Sequence, residues 1–248
     1  MEKNAEHVVV ISGASGYVGS TVAKRLAADG MKVVLLYRKT PKGMADDILK
    51  ELPGTGHRAY QCNLLDEDAI TQLIAHIESD LGPLFACVHA AGVSPVRKAL
   101  YLSTGEELRD QFESNALAGF NFLSACAKKL KEHGGGVLIG ITTAGVVVPS
   151  AGRSLGAYIP AKYALQGILT SFREELSPFG VNVYSVAPGF MHGGMNSRIP
   201  QAFVDMIREK SATKKIASAN DIAETISLLI SHPERMHDLT TVIAPELE

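Results

Sequence analysis

Residues 7–19 read HVVVISGASGYVG and are the most informative stretch for predicting the architecture. The first five form a compact apolar run, which predicts a buried strand. Three glycines follow at a spacing of three, at Gly13, Gly16 and Gly19. Beyond them, apolar residues recur with helical spacing until Gly30 supplies a stop. The stretch therefore predicts a strand, a tight turn and a helix in succession.

The same alternation of apolar runs and helical segments continues along the chain. We predict strands at 7–11, 32–37, 57–61, 84–89, 137–141, 181–187 and 239–244. We predict helices at 17–29, 43–52, 66–80, 103–131, 158–176 and from 218 onward, two of them opened by capping boxes at Ser103-x-x-Glu106 and Ser218-x-x-Asp221. Continuously apolar strands are buried on both faces, which favours a parallel sheet with helices on both sides. The predicted fold is α/β, a doubly wound, Rossmann-type parallel sheet in a single domain over residues 1–248.

Composition excludes several classes of protein. The 248 residues carry 24 Lys and Arg against 26 Asp and Glu, a net charge of −2, which argues against a nucleic-acid binder. No apolar stretch has the length of a membrane span, and the start of the chain does not resemble a secretory signal. The cysteines Cys62, Cys87 and Cys126 are far apart and predict reduced thiols, with no disulfide framework and no metal site. We expect a cytoplasmic protein.

The glycine turn predicts a phosphate site. Such a turn lets the backbone approach a pyrophosphate, whose charge the free N–H groups of the following helix stabilise. Its spacing is not the G-x-G-x-x-G fingerprint, and a tight connection without a ligand is the alternative. Position in the first strand–helix unit favours dinucleotide binding.

The end of the second strand indicates which dinucleotide binds. An NAD site usually has an acidic residue there for the ribose 2′-hydroxyl, but this chain has Arg38 and Lys39. Two cations suit a 2′-phosphate, so they favour NADP(H) over NAD, with a solvated basic loop as the alternative.

Tyr158 and Lys162 lie four residues apart at the start of a predicted helix, which places both side chains on one face. A tyrosine hydroxyl is a poor acid or base at neutral pH, with a pKa of about 10. A neighbouring ammonium favours the phenolate and makes proton transfer to a carbonyl oxygen useful. The pattern alone is also common on ordinary helix surfaces.

Taken together, these motifs resemble the short-chain dehydrogenase/reductase superfamily over almost the whole chain. They come in the family's order: SGASGYVG, HAAG at 89–92, Asn115, Thr142-Thr143, AYIPAK at 157–162 and APG at 187–189. The resemblance is to single-domain ketoreductases, including 3-oxoacyl-thioester reductases. It implies Tyr158 as general acid/base, Lys162 as the group that lowers its pKa and holds the nicotinamide ribose, and Asn115 as support for a proton-relay water.

The resemblance also implies the cofactor site and the group that orients the substrate. The cofactor site comprises Gly13, Ser15, Gly16, Tyr17, Val18, Gly19, Arg38, Asn63, Leu64, Ala90, Ala91, Gly92, Tyr158, Lys162, Pro188, Gly189 and Met191. The family serine that orients the carbonyl maps onto Thr142-Thr143, and we favour Thr143. A small insertion in 146–156 leaves Ser150 and Ser154 as competitors.

Three further positions depart from the family pattern. Asn63 stands where an aspartate is usual, His89 where asparagine is common, and Gly193 where a threonine usually contacts the carboxamide. We interpret His89 as a buried histidine with its hydrogen bonds satisfied.

The functional prediction is an NADPH-dependent ketoreductase that acts on a small-molecule ketone or alcohol, with a 3-oxoacyl thioester as a candidate. Residues 190–213 are predicted to cover the substrate, with an apolar wall that includes Met191, Met195 and Phe203. The resemblance implies a homotetramer or homodimer through the helices at 104–131 and 158–176. The rival hypothesis is an NADP-binding regulator or scaffold that kept the fold without turnover.

Overall fold

Seven strands form one parallel sheet in a computed structural model that describes residues 7–39, 44–210 and 214–243. The strands are β1 (Val8–Ser12), β2 (Lys32–Tyr37), β3 (Arg58–Gln61), β4 (Leu84–His89), β5 (Gly136–Ile141), β6 (Val181–Pro188) and β7 (Thr240–Ile243). Their order is β3-β2-β1-β4-β5-β6-β7. The chain leaves β1 in one direction and returns to β4 on its other side. This reversal leaves a crevice at the carboxyl ends of β1 and β4.

Eight helices of the described residues cover the two faces of the sheet. They are α1 (Tyr17–Ala28), α2 (Met44–Glu51), α3 (Glu67–Leu81), α4 (Gly105–Phe112), α5 (Ala118–Glu132), α6 (Tyr158–Leu176), α7 (Gln201–Lys210) and α8 (Ala219–Ser231). One core joins the sheet to α3, α5 and α6, and the other joins it to α1, α2 and α8. The predicted single Rossmann-like α/β domain is confirmed.

The helix before the site begins one residue later than predicted. Thr104, rather than Ser103, caps α4, because its Oγ1 accepts from Glu107 N at 3.2 Å while Glu107 Oε2 accepts from Thr104 N at 2.8 Å. The sequence satisfies the capping box in both frames, since Glu106 and Glu107 are adjacent. The contact of Lys98 with Glu107 favours the second frame, because Lys98 Nζ donates to Glu107 Oε1 at 2.7 Å. The Ser218–Asp221 box caps α8 as predicted.

The predicted helix at 103–131 is divided by a π-helical turn at Glu113–Leu117 between α4 and α5. The expected cover also contains a regular helix, α7, which the sequence analysis did not delimit. Gly43, residues 211–213 of the cover and Ala244 lie outside the described residues. Within the described part of the chain, no helix is long and apolar enough to cross a bilayer.

Candidate active site

A cleft of about 1240 Å³ opens at the carboxyl ends of the strands. It exceeds the usual upper size of a drug-sized ligand site, so it has room for a dinucleotide and a substrate. Every residue of the expected cofactor site lines it, as do Thr142 and Thr143. Asn115 lies directly behind this lining, between Ser114 and Ala118 of its walls. In the described parts of the chain, no group of three or more His, Cys, Asp or Glu could hold a metal ion.

The glycine turn is held close to the loop after β4. Gly13 has φ +70°, and a Cβ there would lie 2.5 Å from Ala91 N. A Cβ on Gly19 would lie 2.3 Å from Gly13 O. Packing alone therefore requires these two glycines. This agrees with the alternative interpretation of the turn as a tight connection that binds no ligand.

The start of α1 indicates an anion site, whereas the packing of the glycines does not. Its N-cap, Gly16, has no side chain to accept from the first N–H groups, and the first turn holds no acidic residue. The unpaired N–H groups and the helix dipole thus face the cleft uncompensated, as a pyrophosphate site requires.

The end of β2 gives the cleft a cationic corner. Arg38 and Lys39 are exposed and line the cleft, and Gln61 Nε2 donates to Arg38 O at 2.9 Å, which holds the backbone at this corner. Among the described residues, no Asp or Glu lines the cleft. Asn63 is exposed nearby, and its Oδ1 accepts from Leu65 N at 3.3 Å.

Tyr158 is the first residue of α6, and Lys162 follows one turn later. Lys162 is 4% exposed, and its Nζ donates to Ile141 O at 3.0 Å. The same Nζ lies 5.7 Å from the centroid of the Tyr158 ring. The helix thus places the hydroxyl and the ammonium on one wall of the cleft.

Burial moves the pKa values of this pair in opposite directions. It raises the pKa of Tyr158 to about 12 and lowers the pKa of Lys162 to about 8, because both charged forms lose water. These shifts are those of the protein alone; that Lys162 lowers the pKa of Tyr158 when the nicotinamide is bound stays a prediction. At this distance, with the ammonium directed at a carbonyl, the effect of burial on the phenol is the larger one.

Asn115 is oriented by the π-helical turn and by a residue that sequence reasoning missed. Its Nδ2 donates to Gln111 Oε1 at 2.8 Å, and its Oδ1 accepts from Val93 N at 3.3 Å. Gln111 is itself fixed, since its Nε2 donates to Ser94 O at 3.1 Å. Gly92 makes room, because a Cβ there would lie 2.5 Å from Asn115 Oδ1. The spacing of four between Gln111 and Asn115 was the only signal in the sequence.

The hydroxyls differ in their surroundings. Thr142 is buried, and its Oγ1 lies 2.8 Å from Ser185 Oγ, within a polar chain that continues to Gln166. Thr143 lines the cleft next to it, and Ser154 is exposed outside the lining. This arrangement favours Thr143 over Thr142 and Ser154 as the group that meets a substrate, and the side chain of Ser150 lies outside the described part of the structure.

His89 lies at the end of β4 and is fully buried. Its Nδ1 is 2.8 Å from Ser12 Oγ, but its Nε2 is buried without a hydrogen-bond partner. The expectation of a fully satisfied histidine is thus wrong for one nitrogen, which faces Gly119 of α5. Burial, with Lys162 nearby, lowers the pKa of His89 to about 3 and keeps the ring neutral.

The segment after β6 forms the far wall of the cleft. Met191, Met195, Phe203 and Ile207 line it, and Val204 is buried. The apolar wall that was expected here is therefore present, and α7 also packs onto the domain.

The same segment explains why a glycine replaces the usual threonine. Gly193 has φ +111°, and a Cβ there would lie 2.9 Å from Tyr17 Cζ. A Cβ on the neighbouring Gly194 would lie 2.9 Å from Tyr17 Cβ. The Tyr17 ring, at the start of α1, thus occupies the space that a side chain at either position would need.

Comparison with known proteins was made from sequence and from structure. The family model described as Enoyl-(Acyl carrier protein) reductase matches residues 13–242. The chain is 24% identical over 224 residues to the 3-oxoacyl-[acyl-carrier-protein] reductase FabG of Staphylococcus epidermidis, covering 90% of each chain. It is 28% identical over 227 residues to the 3alpha-hydroxysteroid dehydrogenase of Mediterraneibacter gnavus, covering 90% of this chain and 89% of the other.

Solved structures show the same fold. The crystal structure of NAD+-bound xylitol dehydrogenase aligns with a TM-score of 0.90 at 20% identity, covering 99% of this chain and 100% of that one. At this identity the likeness concerns the fold alone.

Proposed function

The chain belongs to the short-chain dehydrogenase/reductase family, whose members bind a nicotinamide cofactor, and we propose that it is an NADP(H)-dependent ketoreductase. It interconverts a ketone and a secondary alcohol, and 3-oxoacyl thioesters are candidate substrates. The observation that carries the proposal is the convergence of Tyr158, Lys162 and Thr143 in one cleft that also contains the glycine turn.

The residues present fit a dinucleotide along the whole cleft. The uncapped start of α1 suits a pyrophosphate, and the narrow approach of Gly13 to Ala91 leaves backbone rather than side chains beside it. Pro188 and Gly189 would border the nicotinamide, and Lys162 would hold its ribose. When bound, the cofactor supplies the hydride that reduces the carbonyl carbon.

The protein's own groups handle the proton and the carbonyl oxygen. Thr143 Oγ1 donates a hydrogen bond to that oxygen and orients it, and the Tyr158 hydroxyl gives it a proton. With a pKa of about 12 in the protein alone, Tyr158 is protonated at neutral pH and ready to act as the acid. Lys162 and Asn115 lie behind it, where they stabilise the phenolate and a relay water.

The cationic corner of the cleft is the basis for proposing NADPH. Arg38 can meet a 2′-phosphate with two parallel charge-assisted hydrogen bonds, and Lys39 adds a second charge. Hydrogen bonds to charged groups contribute about 1.5–3 kcal/mol each, which corresponds to a preference on the order of tenfold to a hundredfold. NAD offers these two cations no partner.

The test is a steady-state assay with NADPH and NADH against a panel of 3-oxoacyl and cyclic ketones. We expect turnover with at least one ketone and a higher kcat/KM for NADPH. Arg38→Asp should reverse the cofactor preference by repelling the phosphate and accepting from the free hydroxyl, whereas Lys128→Asp, on the exposed side of α5, should not change it. Tight NADPH binding without turnover of any ketone would favour the rival regulator.

We also propose that the chain assembles as a homotetramer or homodimer through α4, α5 and α6. Their outer face exposes large apolar side chains: Leu108, Phe112, Leu117, Phe120 and Tyr163. Leu165 and Leu169 of α6 are fully buried against the sheet and do not belong to this face. Phe172 stacks on Phe120, with ring centroids 6.1 Å apart, and joins the two helices beneath this face.

A further inference from the structure

The charge of the cleft differs from that of the whole chain. Five cationic side chains line the cleft: Arg38, Lys39, Arg97, Arg153 and Lys162. Among the described residues, no Asp or Glu lines it. The chain as a whole has a net charge of −2. The cleft is therefore built to receive negative charge, and the proposed cofactor accounts for only part of it.

Two of the five cations lie away from the cationic corner formed by Arg38 and Lys39. Arg97 follows β4, and Arg153 lies between β5 and α6, whereas Arg38 follows β2. The ends of β2 and β5 are separated by β1 and β4, a distance of about 14 Å at the usual strand spacing. One anionic group cannot meet both ends.

The segments that carry Arg97 and Arg153 pack against each other. Gly156 N donates to Lys98 O at 3.0 Å, and a Cβ on Gly156 would lie 3.1 Å from Val96 O. These contacts fix the two loops side by side, immediately before Tyr158 at the start of α6. Both arginines thus belong to the wall of the cleft that leads to the reacting hydroxyl.

Among the described residues, neither arginine has a carboxylate partner. Arg97 Nη2 donates to Asn196 Oδ1 at 2.9 Å, which is a neutral amide. In the described part of the chain, Arg153 has no hydrogen bond or ion pair. The nearby carboxylate of Glu107 is taken by Lys98, at 2.6 Å. Two guanidinium groups therefore face the cleft without a counter-charge.

The surroundings of the two arginines are apolar. Val148, Ala151 and Leu155, from the segment that carries Arg153, line the cleft, as do Phe190, Met195, Phe203 and Ile207 after β6. Arginine is the side chain that binds carboxylate or phosphate with paired hydrogen bonds. Apolar walls with a cationic rim suit a ligand with an apolar body and an anionic end.

Accordingly, we propose that Arg97 and Arg153 form a subsite for an anionic group on the ketone substrate, at the end away from the reacting carbonyl. This inference rests on the proposed ketoreductase function and names its substrate class. The anionic group is a carboxylate of the substrate itself or the phosphate of a pantetheine-type thioester, and both present the same oxygen acceptors.

The experiment compares two pairs of substrates that differ only in the anionic group. One pair is a medium-chain oxo acid and its methyl ester, and the other is a 3-oxoacyl thioester of phosphopantetheine and of pantetheine. We expect kcat/KM to be about tenfold higher for the anionic member of one pair. This is the low end of the range for charge-assisted hydrogen bonds, because both arginines are exposed and solvent screens their charge. The pair that shows the preference identifies the source of the anion.

Variants assign the preference to the arginines. Arg153→Met keeps the apolar stem and should lower kcat/KM for the anionic member by about tenfold, so that the preference between the two members disappears. Arg97→Met should act in the same direction, and Arg198→Met, an exposed cation outside the lining, should have no effect. Equal use of both members by the wild type, or a preference that survives Arg153→Met, would overturn the inference.

A binding measurement separates this inference from the proposed activity. The anionic and neutral members are titrated into protein saturated with NADP+, which cannot reduce a ketone, and binding is followed by calorimetry. If no ketone is reduced, the proposed function fails. Tighter binding of the anionic member that Arg153→Met removes would still support the subsite, and equal binding would refute it.

Discussion

His89 makes the stability of the protein depend on pH in a defined window. The ring is fully buried, one nitrogen has no hydrogen-bond partner, and its pKa is lowered to about 3. In the unfolded chain the imidazole has a pKa of about 6.5. Between these pH values the unfolded chain binds a proton at His89 and the folded protein does not. The contribution of His89 to stability is therefore fully present above about pH 6.5 and is lost as the pH falls toward 3.

The size of the loss follows from the two pKa values. A pH of about 5 lies about 1.5 units below the pKa of the unfolded imidazole. Each of these units lowers the unfolding free energy by about 1.4 kcal/mol. The wild type should therefore lose about 2 kcal/mol of unfolding free energy from this group between about pH 7.5 and pH 5. Any folded pKa below about 4 gives the same loss at this pH, because the folded ring is then still neutral.

His89→Asn removes the titrating group and keeps an amide that can bond Ser12. We expect the difference in unfolding free energy between wild type and variant to change by about 2 kcal/mol over this range, in the variant's favour at acid pH. The assay is urea unfolding followed by far-ultraviolet circular dichroism at one protein concentration, since the chain contains no tryptophan. His76→Asn, at an exposed position on α3, is the control and should follow the wild type. Parallel curves for wild type and His89→Asn would refute the reasoning.

Three further results are expected. Tyr158→Phe should remove nearly all turnover and leave NADPH binding unchanged, because only the hydroxyl is lost; retention of more than about a tenth of kcat would contradict its role as the acid. Thr143→Ala should lower kcat/KM far more than Ser154→Ala, whereas Thr142→Ala should lower Tm by breaking a buried polar chain; a sensitive Ser154 would show that the insertion was misinterpreted. Light scattering should give the mass of two or four copies, and Phe120→Lys should give a smaller species, while a monomeric wild type would exclude the proposed assembly.

Local sequence patterns were enough to predict the fold. Five strands of the sheet are apolar runs bounded by a turn, whereas the edge strands β3 (RAYQ) and β7 (TTVI) are mixed in composition, and the glycine turn identified the first strand–helix unit. The capping box at Ser103 was wrong by one residue, because two adjacent glutamates satisfy the same spacing. Only the contact of Lys98 with Glu107, which depends on tertiary structure, selects the frame.

The site was predictable where the chain order carries it and not where distant loops meet. Tyr158 and Lys162 share one helix, so their spacing places them together. Gln111 contacts Asn115 across a spacing of four, as in any helix, but apolar periodicity does not reveal the π-helical turn that divides the two helices here. Arg97 and Arg153 lie on either side of α4, α5 and β5 in the chain, so no local pattern joins them.

The π-helical turn at Glu113–Leu117 makes the number of residues in this segment part of the active site. Each residue of an α-helix turns the chain by about 100°. A deletion of one residue here would let α4 and α5 run on as one regular helix, with α4 rotated by about that angle relative to α5. With α5 held against the sheet, Gln111 would then turn away from Ser94 O, to which its Nε2 now donates, although neither residue had been replaced. Residues of this segment can be substituted while the catalytic geometry persists. The insertion or deletion of a single residue would change that geometry.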